Sequence, residues 1–325
     1  MDRNLLTTRT RLITHGYDNS ECPDGIASAM LIKHVLPNIE IVFVVYNSPE
    51  HRNLKPGEGD IFCDFTPHPD TVDEFLEARA IVLDHHRSQQ DIVERFVERG
   101  LGVYADEAKE PGVSGAVLAW LEVWKPLNER EVSHARVMRF ARLAGIRDTW
   151  QTKHGSWDEA CGQAEALRFY GAEYLLKKEA KTMAGVPVPY LGPKEEEVGR
   201  LLFDKKIAEA KGLAERAFIW RDYAIMNRND MTSDVAEQLR LMGSPVKALV
   251  SFGYSTDSDD NFQITYSMRS VADDFDVSKI AKAMDGGGHP RAAGFKVVVR
   301  NKTLDSNWDV CPVELFRRGI RRSKE

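Results

Sequence analysis

Cysteine is scarce in this chain, and what there is does not cluster. Four cysteines lie far apart at 22, 63, 161 and 311, with no C-x-x-C pair. That spacing fits neither a disulfide framework nor a thiolate zinc cluster, and it points to a reducing compartment. Long apolar runs are also missing: no stretch of about eighteen apolar residues occurs, and the opening MDRNLLTTRTR has no apolar signal core. A cytoplasmic protein without a membrane segment is the expectation. Excess positive charge is absent as well, since the net charge is −6 and the pI about 5.9. Coating of long double-stranded nucleic acid through a broad basic surface is therefore disfavoured. A small anionic substrate in a local positive pocket remains compatible. There is no internal repeat and no low-complexity tract.

What is present is ordinary globular material, 42% apolar and 29% charged over 325 residues. Such a length exceeds the usual single core, so two domains are expected. Through the first hundred residues, short β-rich runs alternate with helical patterns. The runs are 11–16, 39–46, 60–65, 79–85 and 101–104; the helical patterns are 24–36, 71–78 and 90–99. This alternation predicts an α/β domain, a parallel sheet with helices on both faces, which binds ligands beyond the carboxyl ends of its strands.

From 112 to 185 the pattern is helical, and 183–193, with three prolines and two glycines, reads as a break. A charged helical connector follows. Strands then return at 217–227, 246–254, 261–270 and 295–299, with helical patterns at 232–242 and 277–284. A second, smaller α/β domain is predicted there. Boundaries are expected at 1–192, 193–216 and 217–325. The basic RRGIRRSKE end reads as a solvated tail, with a phosphate-steering patch as the sharper alternative.

The chemistry gathers at predicted strand ends. His15 ends the first strand, with Asp18 and Asp24 in the following loop. Asp64 ends the third strand, and Asp84, His85 and His86 end the fourth. Carboxylates and imidazoles after apolar runs must be paired or hold metal. Oxygen and nitrogen donors favour Mn²⁺ or Mg²⁺, with Fe²⁺, Co²⁺ and Zn²⁺ also compatible. This number of carboxylates points to two ions about 3.5–4 Å apart, an arrangement suited to phosphoester hydrolysis.

A second cluster, DGGGHPRAAGF at 285–295, combines three glycines with His289 and Arg291. Its amides could form a nest for a phosphate. Arg269, at a strand end, reads as a bidentate phosphate contact or a surface ion pair. Other polar residues read as structural: Cys63 as core, His34 as surface, His68 in a rigid proline-flanked loop, Ser114 as a helix cap, and Trp150 as packed rather than base-stacking.

LDHH at 83–86, the upstream histidine–aspartate loop and GGGHPRAAGF near the C-terminus together resemble the DHH–DHHA1 phosphoesterase superfamily. That group includes nanoRNases, phosphoadenosine-phosphate phosphatases, cyclic-dinucleotide phosphodiesterases and RecJ-type exonucleases. The resemblance spans nearly the whole chain, as motifs in order. It implies a DHH catalytic domain and a DHHA1 substrate domain, and two metal ions, with Mn²⁺ the leading choice. His15 would bind the first metal, Asp64 would bridge, and Asp24, His85 and Asp148 would bind the second. Asp84 would orient its neighbour, and His86 would face the scissile phosphate or leaving group. Arg269, Gly287, Gly288, His289 and Arg291 would hold the substrate in a cleft between domains.

The loop after His15 departs from the family pattern. Aligning Asp24 on the usual second aspartate places Cys22 where the first should be and leaves about three extra residues after His15. Asp18 replacing the carboxylate, Cys22 ligating as thiolate, or a weakened first site all remain open. The implied activity is metal-dependent hydrolysis of a small nucleotide or short oligonucleotide. Inorganic pyrophosphatase and a non-catalytic nucleotide binder or scaffold are the alternatives. Oligomeric state is left open, with a homodimer admitted.

Overall fold

A computed structural model describes residues 1–17, 20–106, 109–128, 134–177, 189–256, 262–299 and 312–323. The chain divides into two compact units, Met1–Asp204 and Lys205–Glu325.

The first unit is built on strands β1 (Arg11–Tyr17), β3 (Glu40–Val44), β4 (Asp60–Cys63), β5 (Ile81–Asp84) and β6 (Gly102–Tyr104), all mutually parallel. Their order across the sheet is β3-β1-β4-β5-β6, and the two-residue β2 (Ser20–Glu21) turns back antiparallel on the end of β1. Alternation along each strand feeds two cores. Leu12, Ile61, Cys63, Ile81 and Leu83 join one, whereas Ile13, Phe62 and Val82 join the other. Burial on both faces is why these strands read as nearly continuous apolar runs.

One face is covered by helices α1 (Pro23–Val35), α4 (Gly115–Leu118), α5 (His134–Asp148) and α6 (Trp157–Lys177), which contribute Ile26, Leu31, Phe140 and Leu167. The other carries α2 (Val72–Glu77) and α3 (Gln90–Val97) through Phe75, Val93 and Phe96. α1 starts with Pro23 at its first turn and is buried on nearly every side from Pro23 to Ile32, so it is a core helix rather than an amphipathic surface one. The α4 helix continues as a π-helical stretch over Ala119–Trp124. There Trp124 Nε1 donates to His34 Nδ1 at 3.1 Å. His34 is thus a half-buried packing partner and not the surface residue expected.

The stretch read as a break lies outside the described residues over 183–188. The 193–216 stretch forms one helix, α7 (Pro193–Arg216), and the division between units falls within it.

The second unit has a sheet ordered β11-β12-β10-β9-β8-β7, built from β7 (Phe218–Trp220), β8 (Tyr223–Met226), β9 (Ala248–Thr256), β10 (Phe262–Ser270), β11 (Gly287–His289) and β12 (Ala292–Val299). The single strand expected over 217–227 is a hairpin. Trp220 pairs with Tyr223 across a two-residue turn, and Arg221 takes φ +53°. Helices α8 (Thr232–Leu241) and α9 (Ser278–Lys282) pack against this sheet, with Leu239, Ile280 and Ala281 buried.

The basic end is not a solvated tail over its described part. Pro312–Arg322 is helix α10, with Leu315 and Phe316 buried among Tyr223, Ile280 and Phe295. Leucine and phenylalanine adjacent on one helix face outweigh the flanking arginines, which project to solvent by their length. Among the described residues, no helix is long and apolar enough to cross a membrane.

Candidate metal centre

Register alone brings the polar residues together. β1 and β4 pair Thr14 with Cys63, and β4 and β5 pair Cys63 with Leu83. One residue further along each strand come His15, Asp64 and Asp84, side by side at the carboxyl edge of the sheet. Asp64 is where β4 ends: its amide still donates to Leu83 O at 3.0 Å, but its backbone has turned to φ +59°. Aspartate tolerates this left-handed conformation better than most residues.

Asp84 is fully buried, and its Oδ1 collects three donors. These are the amides of His85 at 2.9 Å and His86 at 3.4 Å, and His86 Nδ1 at 2.7 Å. His86 is therefore fixed through Nδ1, which leaves Nε2 as its reactive nitrogen. The neighbour that Asp84 orients most directly is His86. Burial works against charge on His86, yet the Asp84 carboxylate beside it pushes its pKa up to about 10.

His85 turns the other way. Its Nε2 lies 3.3 Å from Asp64 Oδ1 and 3.2 Å from Asp148 Oδ2 at the end of α5. Burial again opposes the charge, but these two carboxylates raise its pKa to about 9. Asp64 is held below the usual carboxylate range, because the three histidines around it outweigh its burial. Burial pushes Asp24 and Asp148 up, and Asp64 adds to both shifts.

Asp24 enters from the first turn of α1. Ser114 Oγ donates to its Oδ1 at 2.6 Å and the Ala116 amide to its Oδ2 at 3.1 Å. Ser114 thus stands at the helix N-cap position but spends its hydroxyl on Asp24, not on the helix amides as expected. Gly115, between the two donors, is required: a Cβ there would lie 2.4 Å from Asp64 Cβ and 2.7 Å from Asp24 Oδ2. Gly25 plays the same part for α1, where a Cβ would meet His15 O at 2.6 Å.

The extra residues after His15 form the β1–β2 hairpin, which pairs Gly16 with Glu21 and Tyr17 with Ser20. This returns the chain so that the Cys22 amide donates to His15 O at 3.3 Å. Asp18 lies outside the described residues. Cys22, 2% exposed, stands at the N-cap position of α1 without a side-chain capping bond.

Three groups of donor atoms result, each within 4.8 Å of one another: His15, Cys22 and Asp64; Asp24, His85 and Asp148; and Asp64 with Asp84, His85 and His86. Three polar atoms in this cluster are buried without a hydrogen-bond partner, namely Asp64 Oδ2, Asp84 Oδ2 and His85 Nδ1. Orphaned carboxylate oxygens of this kind are costly unless a cation satisfies them. The residues present fit a divalent cation on that ground.

Sequence reasoning passed over Ser114 and Gly115 as ligand supports, and Tyr46 altogether. The Tyr46 ring lies 5.1 Å from His15 and 6.0 Å from His86, edge-on to both. Its signal was an aromatic at the end of an apolar run, just after β3. His68 has a local role, accepting from the Asp70 amide at 3.3 Å and packing against His51. Cys63 is core, as expected, and donates to Gly115 O at 3.3 Å. Trp150 packs under Arg147 at 4.3 Å and beside Trp157.

In the second unit, Arg269 is largely buried and donates through Nε to Ser233 Oγ at 2.9 Å and through Nη1 to Met268 O at 2.9 Å. Gly287, Gly288 and His289 are exposed and form the edge strand β11. They pair with Gly294, Ala293 and Ala292, so the run is half of a hairpin and not the nest-like loop expected. Arg291, in the turn, holds Asp273 through both terminal nitrogens at 3.0 Å.

No protein-family model matches the chain, and no curated protein matches its sequence. Solved structures do match. The DHH domain of a member of a ribosomal-protein family is 12% identical, aligned over 98% of this chain and 87% of its own, with a TM-score of 0.57. A pGpG-specific phosphodiesterase from Vibrio cholerae is 13% identical over 97% and 100% of the two chains, at 0.49. The exonuclease RecJ bound to manganese is 14% identical over 96% and 89%, at 0.44. Identities this low speak to fold alone, and the DHH-domain structure carries the comparison. Over 98% of its length the chain has the fold of that DHH-domain structure.

Proposed function

We propose that the protein is a metal-dependent phosphoesterase that hydrolyses a small nucleotide or short oligonucleotide. The observation that carries this is the pair of donor triads, His15–Cys22–Asp64 and Asp24–His85–Asp148, meeting at one sheet edge with the Asp64 Oδ2 oxygen buried and unsatisfied. Asp64 belongs to one triad and contacts His85 of the other, which suits it to bridge two ions. Mn²⁺ is the leading choice, with Mg²⁺, Co²⁺, Fe²⁺ and Zn²⁺ as alternatives. Bound divalent cations supply Lewis acidity toward phosphate oxygens and acidify water.

The chain's own residues do the rest. Asp84 clamps the His86 ring so that its Nε2 is aimed by a buried, rigid partner. A proton held there is available to the departing oxygen. Ser114 and the Ala116 amide fix Asp24, and β1, β4 and β5 fix His15, Asp64 and Asp84 on regular structure. In the second unit, Arg269, Gly287, Gly288, His289 and Arg291 would take the phosphate or nucleotide end of the substrate. Arg291 would exchange its Asp273 partner for that anion.

The test is turnover of a panel: linear dinucleotide, cyclic dinucleotide, phosphoadenosine phosphate, a short RNA and inorganic pyrophosphate, each with Mn²⁺, Mg²⁺, Co²⁺ and Zn²⁺. Release of mononucleotide or phosphate that Asp64→Asn abolishes is the expected result. Absence of turnover with every ion and substrate would sink the proposal. Cleavage confined to pyrophosphate would move the protein to a different substrate class.

A further inference from the structure

We infer that Cys22 is a thiolate ligand of the first cation, so that this site prefers softer divalent ions than an all-oxygen and imidazole set would. The inference rests on the metal-dependent reading above and concerns one position in it.

Cys22 Sγ, a ring nitrogen of His15 and an oxygen of Asp64 lie within 4.8 Å of one another. The chain has a specific device for putting the sulfur there. The β1–β2 hairpin folds back on the end of β1, and the Cys22 amide bonds to the His15 carbonyl at 3.3 Å. Backbone pairing thus holds residues 15 and 22 adjacent although six residues separate them in sequence.

A second, independent observation points to a cation at this place. Asp64 is 1% exposed, and its Oδ2 has no hydrogen-bond partner. That oxygen is the one facing His15, with Nδ1 at 3.9 Å. Such a separation is too long for a hydrogen bond and suits two donors on a common ion. Without an ion, burial and the carboxylates of Asp64, Asp148 and Asp24 push the Cys22 thiol up, so loss of its proton is coupled to arrival of the cation.

On ligation the thiol proton passes to solvent as the sulfur–metal bond forms, with no change of oxidation state. A thiolate–imidazole–carboxylate set selects Zn²⁺, Co²⁺ or Fe²⁺ over Mn²⁺ and Mg²⁺.

The experiment uses the full chain loaded with Co²⁺ and read by absorption. A thiolate ligand gives a near-ultraviolet sulfur-to-cobalt charge-transfer band in addition to the weak visible bands of any bound Co²⁺. The expected result is a band in the wild type that is lost in Cys22→Ser and Cys22→Asp but kept in Asp18→Asn. Cys22→Asp should still show the visible bands, which separates loss of the sulfur from loss of the fold. Competition between Zn²⁺ and Mn²⁺ should show the Zn²⁺ preference falling about tenfold or more in Cys22→Asp, at least the scale on which groups supporting a metal act. Visible bands without the charge-transfer band in the wild type, or a band that survives Cys22→Ser, would overturn the inference and leave the phosphoesterase reading intact. Binding of no divalent ion at all would overturn both.

Discussion

At the scale of single residues, the Asp84–His86 pair is a short contact, at 2.7 Å, between a buried carboxylate and an imidazole. Asp84→Asn keeps the shape but removes the charge that orients and charges the imidazole. If His86 serves the departing oxygen, kcat should fall by about 10²-fold or more while KM moves little. The same pair gives the metal-free protein a pH signature. A histidine titrates near 6.5 when unfolded, and His86 titrates at about 10 in the folded protein. Its pairing therefore stabilises fully below about pH 6.5, and that stabilisation is lost as pH rises through 10. Melting in chelator from pH 6.5 to 10 should show a steeper decline for wild type than for Asp84→Asn, the two curves approaching each other at the alkaline end. Parallel curves would show that the contact does not couple to folding.

At the scale of elements, the tightest constraint is the meeting of α4 with the end of β4. Gly115→Ala places a methyl 2.4 Å from Asp64 Cβ and 2.9 Å from Asp64 Cα, atoms fixed by the buried backbone that cannot step aside. A cost of about 1–3 kcal/mol is expected by denaturant titration, with loss of divalent-ion binding by calorimetry. The C-terminal helix offers the complementary case. Phe316 is 1% exposed and packs edge-on to Tyr223 at 5.1 Å. Phe316→Ala should destabilise the second unit by about 3–5 kcal/mol and leave cation binding by the first unit unchanged.

Elements differ in how openly the sequence announces them. Strands β1, β4 and β5 were legible because burial on both faces makes them continuous apolar runs that stop at a polar residue. Since ligands sit where such runs stop, His15, Asp64 and Asp84 were legible too. Ser114 was not, because a serine before an apolar helix has a local explanation as a cap, and its bond to Asp24 joins residues ninety apart. The amphipathic α10 was masked by its arginines, whose charge dominates composition while Leu315 and Phe316 decide the packing. The glycine run misled for a related reason: glycine permits a nest, but pairing with β12 claims the backbone.

At the scale of the whole molecule, the described metal-ligand candidates all belong to Met1–Asp204, and Lys205–Glu325 has its own core. Ligand linkage should act on one unit alone. Scanning calorimetry in chelator and in excess Zn²⁺ or Mn²⁺ should show two transitions, of which one moves up with the ion and the other stays. An ion at a hundred times its Kd adds about 2.7 kcal/mol to the unit that binds it. A single transition that moves with the ion would mean that the units unfold as one.

The register that aligns Thr14, Cys63 and Leu83 also governs when the site can come into being. His15, Asp64 and His85 are neighbours only after β4 has slotted between β1 and β5, and Asp148 joins only when α5 has docked on that sheet. Among the described residues, neither His15–Cys22–Asp64 nor Asp24–His85–Asp148 comes from one short loop. A nascent or refolding chain therefore offers a cation neither of these triads until its non-local pairings are made. Capture of an ion by these triads would be a late event, marking the moment at which the sheet is finished.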